Sequence, residues 1–221
     1  MNPADILKRV DHTQLKPFAT WDDIVTLCRE ARRYKTASVC VPPTYVTRIR
    51  EEFGDDPVIC TVVGFPLGYS STAAKLEETR RAIRDGAREV DMVINISDAK
   101  NGRFGEIHDE IKALKDELGG RILKVIIETC YLDEAEKIRL CGIVTETGAD
   151  FIKTSTGFGP AGATLEDVAL FKAHIGPKVG IKAAGGIKTV ADLEKFIEAG
   201  CGRLGTSGAV ALLKGGQAMG Y

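Results

Sequence analysis

Short runs rich in β-branched residues recur along this chain at near-regular intervals, and helix-like segments separate them. No other feature narrows the fold as far. The runs are Ala37 to Val41 (ASVCV), Val58 to Val63 (VICTVV), Glu89 to Ile96 (EVDMVINI), Leu123 to Thr129 (LKVIIET), Phe151 to Ser155 (FIKTS), Val179 to Ala184 (VGIKAA) and Arg203 to Ser207 (RLGTS). Between them, Thr164 to Asp167 and Thr189 to Asp192 read as capping boxes with Asp replacing the usual Glu, and Asp133 to Glu136 is a similar start. After Thr189, the residues Val190, Leu193 and Ile197 share one helix face, and Gly200 supplies a left-handed stop. A series of strand–turn–helix units calls for parallel pairing through right-handed crossovers. With Val10 to Thr13 read as an eighth strand, the expected architecture is a single (β/α)8 TIM barrel over residues 1–221. A doubly wound open sheet is the alternative.

The length of 221 residues suits one domain, and no linker or composition shift divides it. Lys and Arg total 30 against 31 Asp and Glu, a net charge of -1, so there is no electrostatic case for nucleic acid or an anionic membrane. Hydrophobic residues make up 44% of the chain, yet no apolar run approaches the roughly 20 residues of a membrane span. The six cysteines are scattered without a C-x-x-C pair, as expected of free thiols in a reducing compartment. The opening MNPADILKRVDHTQL has no apolar signal core, and a cytoplasmic location is expected.

Side chains alternate faces along a strand, so each run divides into two sets. Val90, Met92, Ile94 and Ile96 oppose Glu89, Asp91, Val93 and Asn95, while Leu123, Val125 and Ile127 oppose Lys124, Ile126 and Glu128. Ile152 and Thr154 oppose Phe151, Lys153 and Ser155, and Val179, Ile181 and Ala183 oppose Gly180, Lys182 and Ala184. In a barrel the apolar sets pack under helices, which sends Asp91, Lys124, Lys153 and Lys182 into one interior. A single strand lysine is ordinarily solvated or snorkels. Four charged groups directed together from consecutive strands fit Schiff-base chemistry better, because desolvation and a neighbouring ammonium both favour the free amine that attacks a carbonyl. Asp91 then offsets excess positive charge and moves protons.

Glycine, at 24 residues, is over-represented, and it concentrates after the late strands. Gly157, Gly159 and Gly162 follow Ser155, Gly185 and Gly186 follow the seventh run, and Gly205, Ser207 and Gly208 follow or end the last. Each turn alone is ordinary. Together, before helix starts and where barrels frequently bind phosphate, they read as a phosphate site.

The segments DHTQL, ASVCVPP, VVGFPLG, EVDMVINI, LKVIIET, DFIKTSTGF and GIKAAGGIKT, in this order over nearly the whole chain, resemble the deoxyribose-phosphate aldolase family. The resemblance implies a class I aldolase that reversibly cleaves 2-deoxy-D-ribose 5-phosphate to acetaldehyde and D-glyceraldehyde 3-phosphate, without a cofactor, as a homodimer or homotetramer. It implies Lys153 as the Schiff-base lysine, Lys182 as the lysine that tunes it, Asp91 as the acid of the proton relay and Lys124 as electrostatic support. It further implies that Asp11, Thr13 and Cys40 line the substrate pocket and that Gly157, Gly185, Gly186, Gly205 and Ser207 bind phosphate. Tyr221, ending a Gly-rich tail, corresponds to a terminal tyrosine that assists proton exchange in related aldolases. The chain departs from some members in carrying Phe158 in place of a lysine and Gly208 in place of a serine.

Competing readings are another Schiff-base sugar-phosphate aldolase or transaldolase, a barrel isomerase using Asp91 and Glu128, and a sugar-phosphate sensor without turnover. His108 and His174 are expected to be solvated. No His or Cys spacing suggests a metal site, and neither G-x-x-x-x-G-K-[ST] nor G-x-G-x-x-G occurs to hold a nucleotide.

Overall fold

The computed structural model describes residues 1–215. Eight parallel strands, β1 (Val10–Thr13), β2 (Ser38–Val41), β3 (Ile59–Val63), β4 (Glu89–Val93), β5 (Ile122–Ile126), β6 (Phe151–Lys153), β7 (Gly180–Ala184) and β8 (Arg203–Thr206), pair in sequence order. Pairing of β1 with β8 closes the barrel and rules out the open sheet. Around it run α1 (Pro3–Leu7), α2 (Trp21–Tyr34), α3 (Val46–Phe53), α4 (Thr72–Asp85), α5 (Ile96–Lys100), α6 (Phe104–Glu117), α7 (Glu134–Glu146), α8 (Leu165–His174), α9 (Val190–Ala199) and α10 (Ala209–Leu213).

The alternation read from the sequence decides what lies on each side of the sheet. Val90, Met92, Leu123, Val125, Ile152, Ile181 and Ala183 belong to the continuous apolar layer between strands and helices. Their neighbours Asp91, Lys124, Lys153 and Lys182 are buried in the opposite direction, inside the barrel. At the lower end, Phe151 pairs with Gly180, where any side chain would strike the Phe151 ring, and Arg203 lies over that ring at 5.3 Å.

Several strands stop short of their apolar runs, because the last residues serve as caps. Asn95, two residues past the end of β4, accepts hydrogen bonds from the backbone N–H groups of Ser97 and Asp98, starting α5. After β5, Glu128 adopts a left-handed conformation (φ 53°) ahead of a 3₁₀ turn over Thr129–Tyr131. Complete capping boxes form at Asp133 with Glu136 and at Thr189 with Asp192. The one expected at Thr164 is only half made. Thr164 Oγ1 accepts from the Asp167 N–H, but the Asp167 carboxylate turns to Lys137 at 2.7 Å.

Another buried polar pair anchors the β3–α4 side. Lys75 of α4 donates to the Val93 carbonyl at 2.8 Å and to Glu110 of α6 at 2.7 Å, with no exposed surface of its own. Its aliphatic stem fills the space beside Gly64, where a Cβ would come within 2.6 Å of Lys75 Cε. No described helix is long and apolar enough to cross a membrane.

Candidate active site

The barrel interior holds a charged cluster of unusual density. Asp91 is its hub: Oδ1 accepts from Lys124 at 2.7 Å, and Oδ2 accepts from Lys153 at 2.8 Å and Lys182 at 2.6 Å. Asp11 accepts from Lys182 at 2.5 Å, from Ser38 at 2.7 Å and from Arg203 at 2.5 Å, with Lys124 at 3.4 Å. Glu89 closes the lower end against Lys124 at 2.7 Å and Arg203 at 2.8 Å. Asp11, Asp91, Lys124 and Lys182 have no exposed surface, so each charge survives only through its partners. Burial works against the charged forms, but surrounding ammonium and guanidinium groups outweigh it and hold Asp11 and Asp91 below the usual carboxylate range. Burial likewise opposes the charges on Lys124 and Lys182, and the carboxylates outweigh it, raising both above the ordinary lysine value.

The cluster therefore joins three acids, Asp11, Glu89 and Asp91, to four bases, Lys124, Lys153, Lys182 and Arg203, a formal excess of one positive charge. Among the described residues, Lys124, Lys182 and Arg203 each pair with at least two acids, whereas Lys153 pairs with Asp91 alone. Lys153 is thus the base held by the fewest ion pairs. Lys153 also lines an open cleft.

The cleft wall is built from the turns after β6 and β7 and from the end of β8 with the turn that follows it. It includes Thr156 and Gly157, then Gly185, Gly186 and Lys188, then Gly205 and Ser207. Gly185 and Gly186 have φ of 78° and 76°, consecutive left-handed positions that side chains other than glycine rarely accept. Gly205 is demanded by close approach: a Cβ there would lie 3.1 Å from Lys182 Cε. The Gly186–Lys188 turn leads into α9, whose Asp192 accepts from the backbone N–H groups of Lys188 at 3.1 Å and Thr189 at 2.9 Å. Burial pushes the Glu128 carboxyl up, and Glu128 accepts from the Thr156 hydroxyl and from the Thr156 N–H at 3.2 Å. It thus orders the turn beside Lys153. At the rim, Phe158 and Phe65 meet edge to face at 5.3 Å.

Most of the expected site residues converge. Thr13 lines the cleft with Gly157, Gly185, Gly186, Gly205 and Ser207. Asp11 and Cys40 lie deeper than the residues that line the cleft. Asp11 is fully buried beneath it on Lys182, and Cys40 packs in a small apolar cluster with Leu15, Cys60 and Val62. Lys182 is the register partner of Lys153, with the refinement that both bind the same oxygen of Asp91, which stands between the two charges. Tyr221 lies outside the described residues. Sequence reasoning missed Arg203, Cys60 and Lys188; Arg203 shares the parity of Gly205 and Ser207 and was legible on that ground. His12 sits outside the cluster, its Nε2 2.9 Å from Glu30, His174 is exposed, and His108 is half-buried beside Asp109. Donor atoms of Cys40, Cys60 and Asp91, and of Asp11, Cys60 and Glu89, lie within 4.8 Å of one another, but the carboxylates in both sets already pair with cations.

Known proteins match this chain along its length. A family model described as DeoC/LacD family aldolase covers residues 6–218. A deoxyribose-phosphate aldolase of Clostridium botulinum (strain Alaska E43 / Type E3) is 64% identical over 221 residues, covering 100% of both chains. One from Clostridioides difficile (strain 630) is 59% identical over 209 residues, 95% of each chain. The tetrameric deoxyribose phosphate aldolase structure from Aeropyrum pernix superposes with a TM-score of 0.88 at 32% identity, covering 96% of this chain and 91% of its own. A closed barrel with a lysine cluster beneath glycine-rich turns is thus accompanied by similarity over the full chain, and the protein belongs to the DeoC/LacD family of aldolases.

Proposed function

We propose that this aldolase reversibly cleaves 2-deoxy-D-ribose 5-phosphate into acetaldehyde and D-glyceraldehyde 3-phosphate through an imine on Lys153, in cytoplasmic deoxyribose catabolism. The observation that carries the reading is the position of Lys153: the most sparsely paired base of the cluster, at the foot of the cleft, below the glycine turns. Lys153 as free amine attacks C1 of the open-chain sugar, and the carbinolamine loses water to give the imine. The C2–C3 bond then breaks as the C3 hydroxyl gives up its proton, releasing glyceraldehyde phosphate. The remaining enamine takes a proton at C2 and hydrolyses to acetaldehyde. Asp91 Oδ2 faces the positive charge on the imine nitrogen and relays protons, while Lys182 and Lys124 return Asp91 to its ionised form after each transfer. Asp11 fixes Lys182.

The phosphate binds at the rim, on backbone N–H groups of the turns holding Gly157, Gly185, Gly186, Gly205 and Ser207, with Thr13 opposite. Tyr221 assists protonation of the enamine, so removing it should slow solvent deuterium exchange into acetaldehyde while leaving imine formation intact. The whole chain acts as one domain in a homodimer or homotetramer; the Aeropyrum pernix relative is tetrameric. The involvement of Glu128 with the Thr156 turn disfavours an isomerase using Asp91 and Glu128 as its acid and base.

Borohydride reduction in the presence of acetaldehyde, followed by peptide mapping, tests the reading. An adduct on Lys153 is expected. An adduct on Lys182, or none at all, would overturn it.

A further inference from the structure

Two thiols that this mechanism leaves unused face each other inside the barrel. Cys40 on β2 and Cys60 on β3 are register partners on adjacent parallel strands. Such strands lie about 4.8 Å apart, inside the roughly 4.4–6.8 Å Cα separation that a disulfide bridges. Both sulfurs and a carboxylate oxygen of Asp91 lie within 4.8 Å of one another. Cys60 Sγ is also 3.2 Å from Asp91 Oδ1 and 3.2 Å from Lys124 Nζ, so the dithiol touches the hub of the charged cluster.

The pair differs chemically from the other buried cysteines. Burial pushes Cys28, Cys141 and Cys201 up to about 12, where the reactive thiolate is scarce. In the dithiol, a hydrogen bond from Cys60 lowers Cys40, against burial and the charge of Asp91, with help from Lys182 and Lys153. Burial pushes Cys60 up, so Cys40 is the sulfur that gives up its proton first. Cys40 lies directly behind the cleft wall. Cys40 is the register partner of Thr13 and packs against Leu15, and both of these line the cleft.

We propose that Cys40 and Cys60 form an oxidative modification site: hydrogen peroxide entering through the cleft closes them into a reversible disulfide that arrests the lysine chemistry. The Cys40 thiolate attacks one peroxide oxygen, the O–O bond breaks, and the departing hydroxide takes a proton to leave as water. The resulting sulfenic acid is attacked by the sulfur of Cys60, the S–O bond breaks, and a second water leaves with the Cys60 proton. Two thiols are oxidised by two electrons, and one peroxide is reduced to two waters. The new bond draws Cys60 Sγ away from Asp91 Oδ1 and Lys124 Nζ, disturbing the carboxylate that holds Lys153. The loss of activity rests on the aldolase reading above; the cross-link itself does not.

Full-length reduced protein treated with hydrogen peroxide should lose about 2 Da before alkylation and, once alkylated and mapped, yield a peptide pair joining Cys40 to Cys60. Activity on deoxyribose 5-phosphate should fall about tenfold or more, and dithiothreitol should restore it together with both thiols. Prior reduction of the acetaldehyde adduct on Lys153, which fills the cleft, should slow cross-linking. Cys60→Ala should give no cross-link and instead accumulate oxygen at Cys40. A cross-link between other cysteines, or unlinked oxygen addition at Cys40 in the wild-type chain, would overturn the proposal. So would a complete Cys40–Cys60 cross-link with undiminished turnover. Reduced protein without any activity on the sugar phosphate would count against the aldolase reading alone, since the peptide map is read without activity.

Discussion

At the scale of single residues, the cluster works through an imbalance among near-equals. Lys124, Lys153 and Lys182 share one carboxylate, and they differ in how many other acids hold them. Asp11 and Asp91 outweigh burial and raise Lys182 above the ordinary lysine value, which supports its proposed part as a fixed cation rather than a second nucleophile. Lys182→Leu should therefore shift the rise of imine formation to higher pH and reduce turnover on the order of 10²-fold. An unchanged pH–rate profile in stopped-flow measurements would assign the tuning of Lys153 to desolvation alone. At the rim, Phe158 supplies no charge, so on the proposed reading the phosphate would be held by the turns and by Lys188, which also lines the cleft. Ser207→Asp should raise KM for the phosphorylated sugar far more than for deoxyribose itself. Equal increases for both substrates would place the phosphate elsewhere.

At the scale of elements, the site depends on how the turns are held from behind. Lys75 ties the end of β4, at Val93, to α6 through Glu110, two residues beyond Asp91. Burial pushes Glu110 up and Lys75 down, each toward its neutral form, so the pair is maintained by mutual contact. Removing one partner strands the other. Glu110→Ala should cost about 3–5 kcal/mol in urea denaturation, while Lys75→Met combined with Glu110→Leu should recover most of that loss. Additive losses in the double variant would show that packing, not the stranded charge, sets the cost. The capping boxes of α7 and α9 were readable because both partners lie within one turn of sequence. The half-made box of α8 was not readable, because Asp167 is claimed by Lys137 from a different helix.

Across the whole molecule, closure of the barrel concentrates charge where a sheet open at its edges would leave it solvated, and this sets the pH range of stability. Asp11 and Asp91 have folded values depressed below the unfolded value of about 3.9, so their contribution is present above that pH and lost only as pH falls through the folded values. Lys124 and Lys182 are raised, so theirs is present below about 10.4 and lost as pH rises through the folded values. Lys182→Leu removes one ammonium from both carboxylates, so acid unfolding followed by circular dichroism should begin at higher pH than in the wild type. An unmoved acid limb would mean that Lys124 and Arg203 suffice to hold the two acids.

Local rules determined much of this protein. Period-two alternation is a property of the extended backbone, so the inward direction of Asp91, Lys124, Lys153 and Lys182 followed from the strand runs alone, and positive φ made the glycine turns recognisable. Motifs such as KTSTG and KAAGG carried the family. What the tertiary structure decided were the relations between residues distant in sequence. Parity says that a lysine points inward, but only strand order and register say that Asp91 Oδ2 lies between Lys153 and Lys182, or that Glu89 and Arg203 meet across the barrel floor. The same holds for depth: Asp11 and Cys40 share the inward direction of Thr13, yet their places beneath the cleft depend on the turns that cap them from other units. Cys40 and Cys60 are 20 residues apart in sequence and adjacent only because β2 and β3 pair in that register. Side-chain direction is local geometry, whereas partnership, pairing and burial are set by packing between segments that the chain brings together only when the barrel closes.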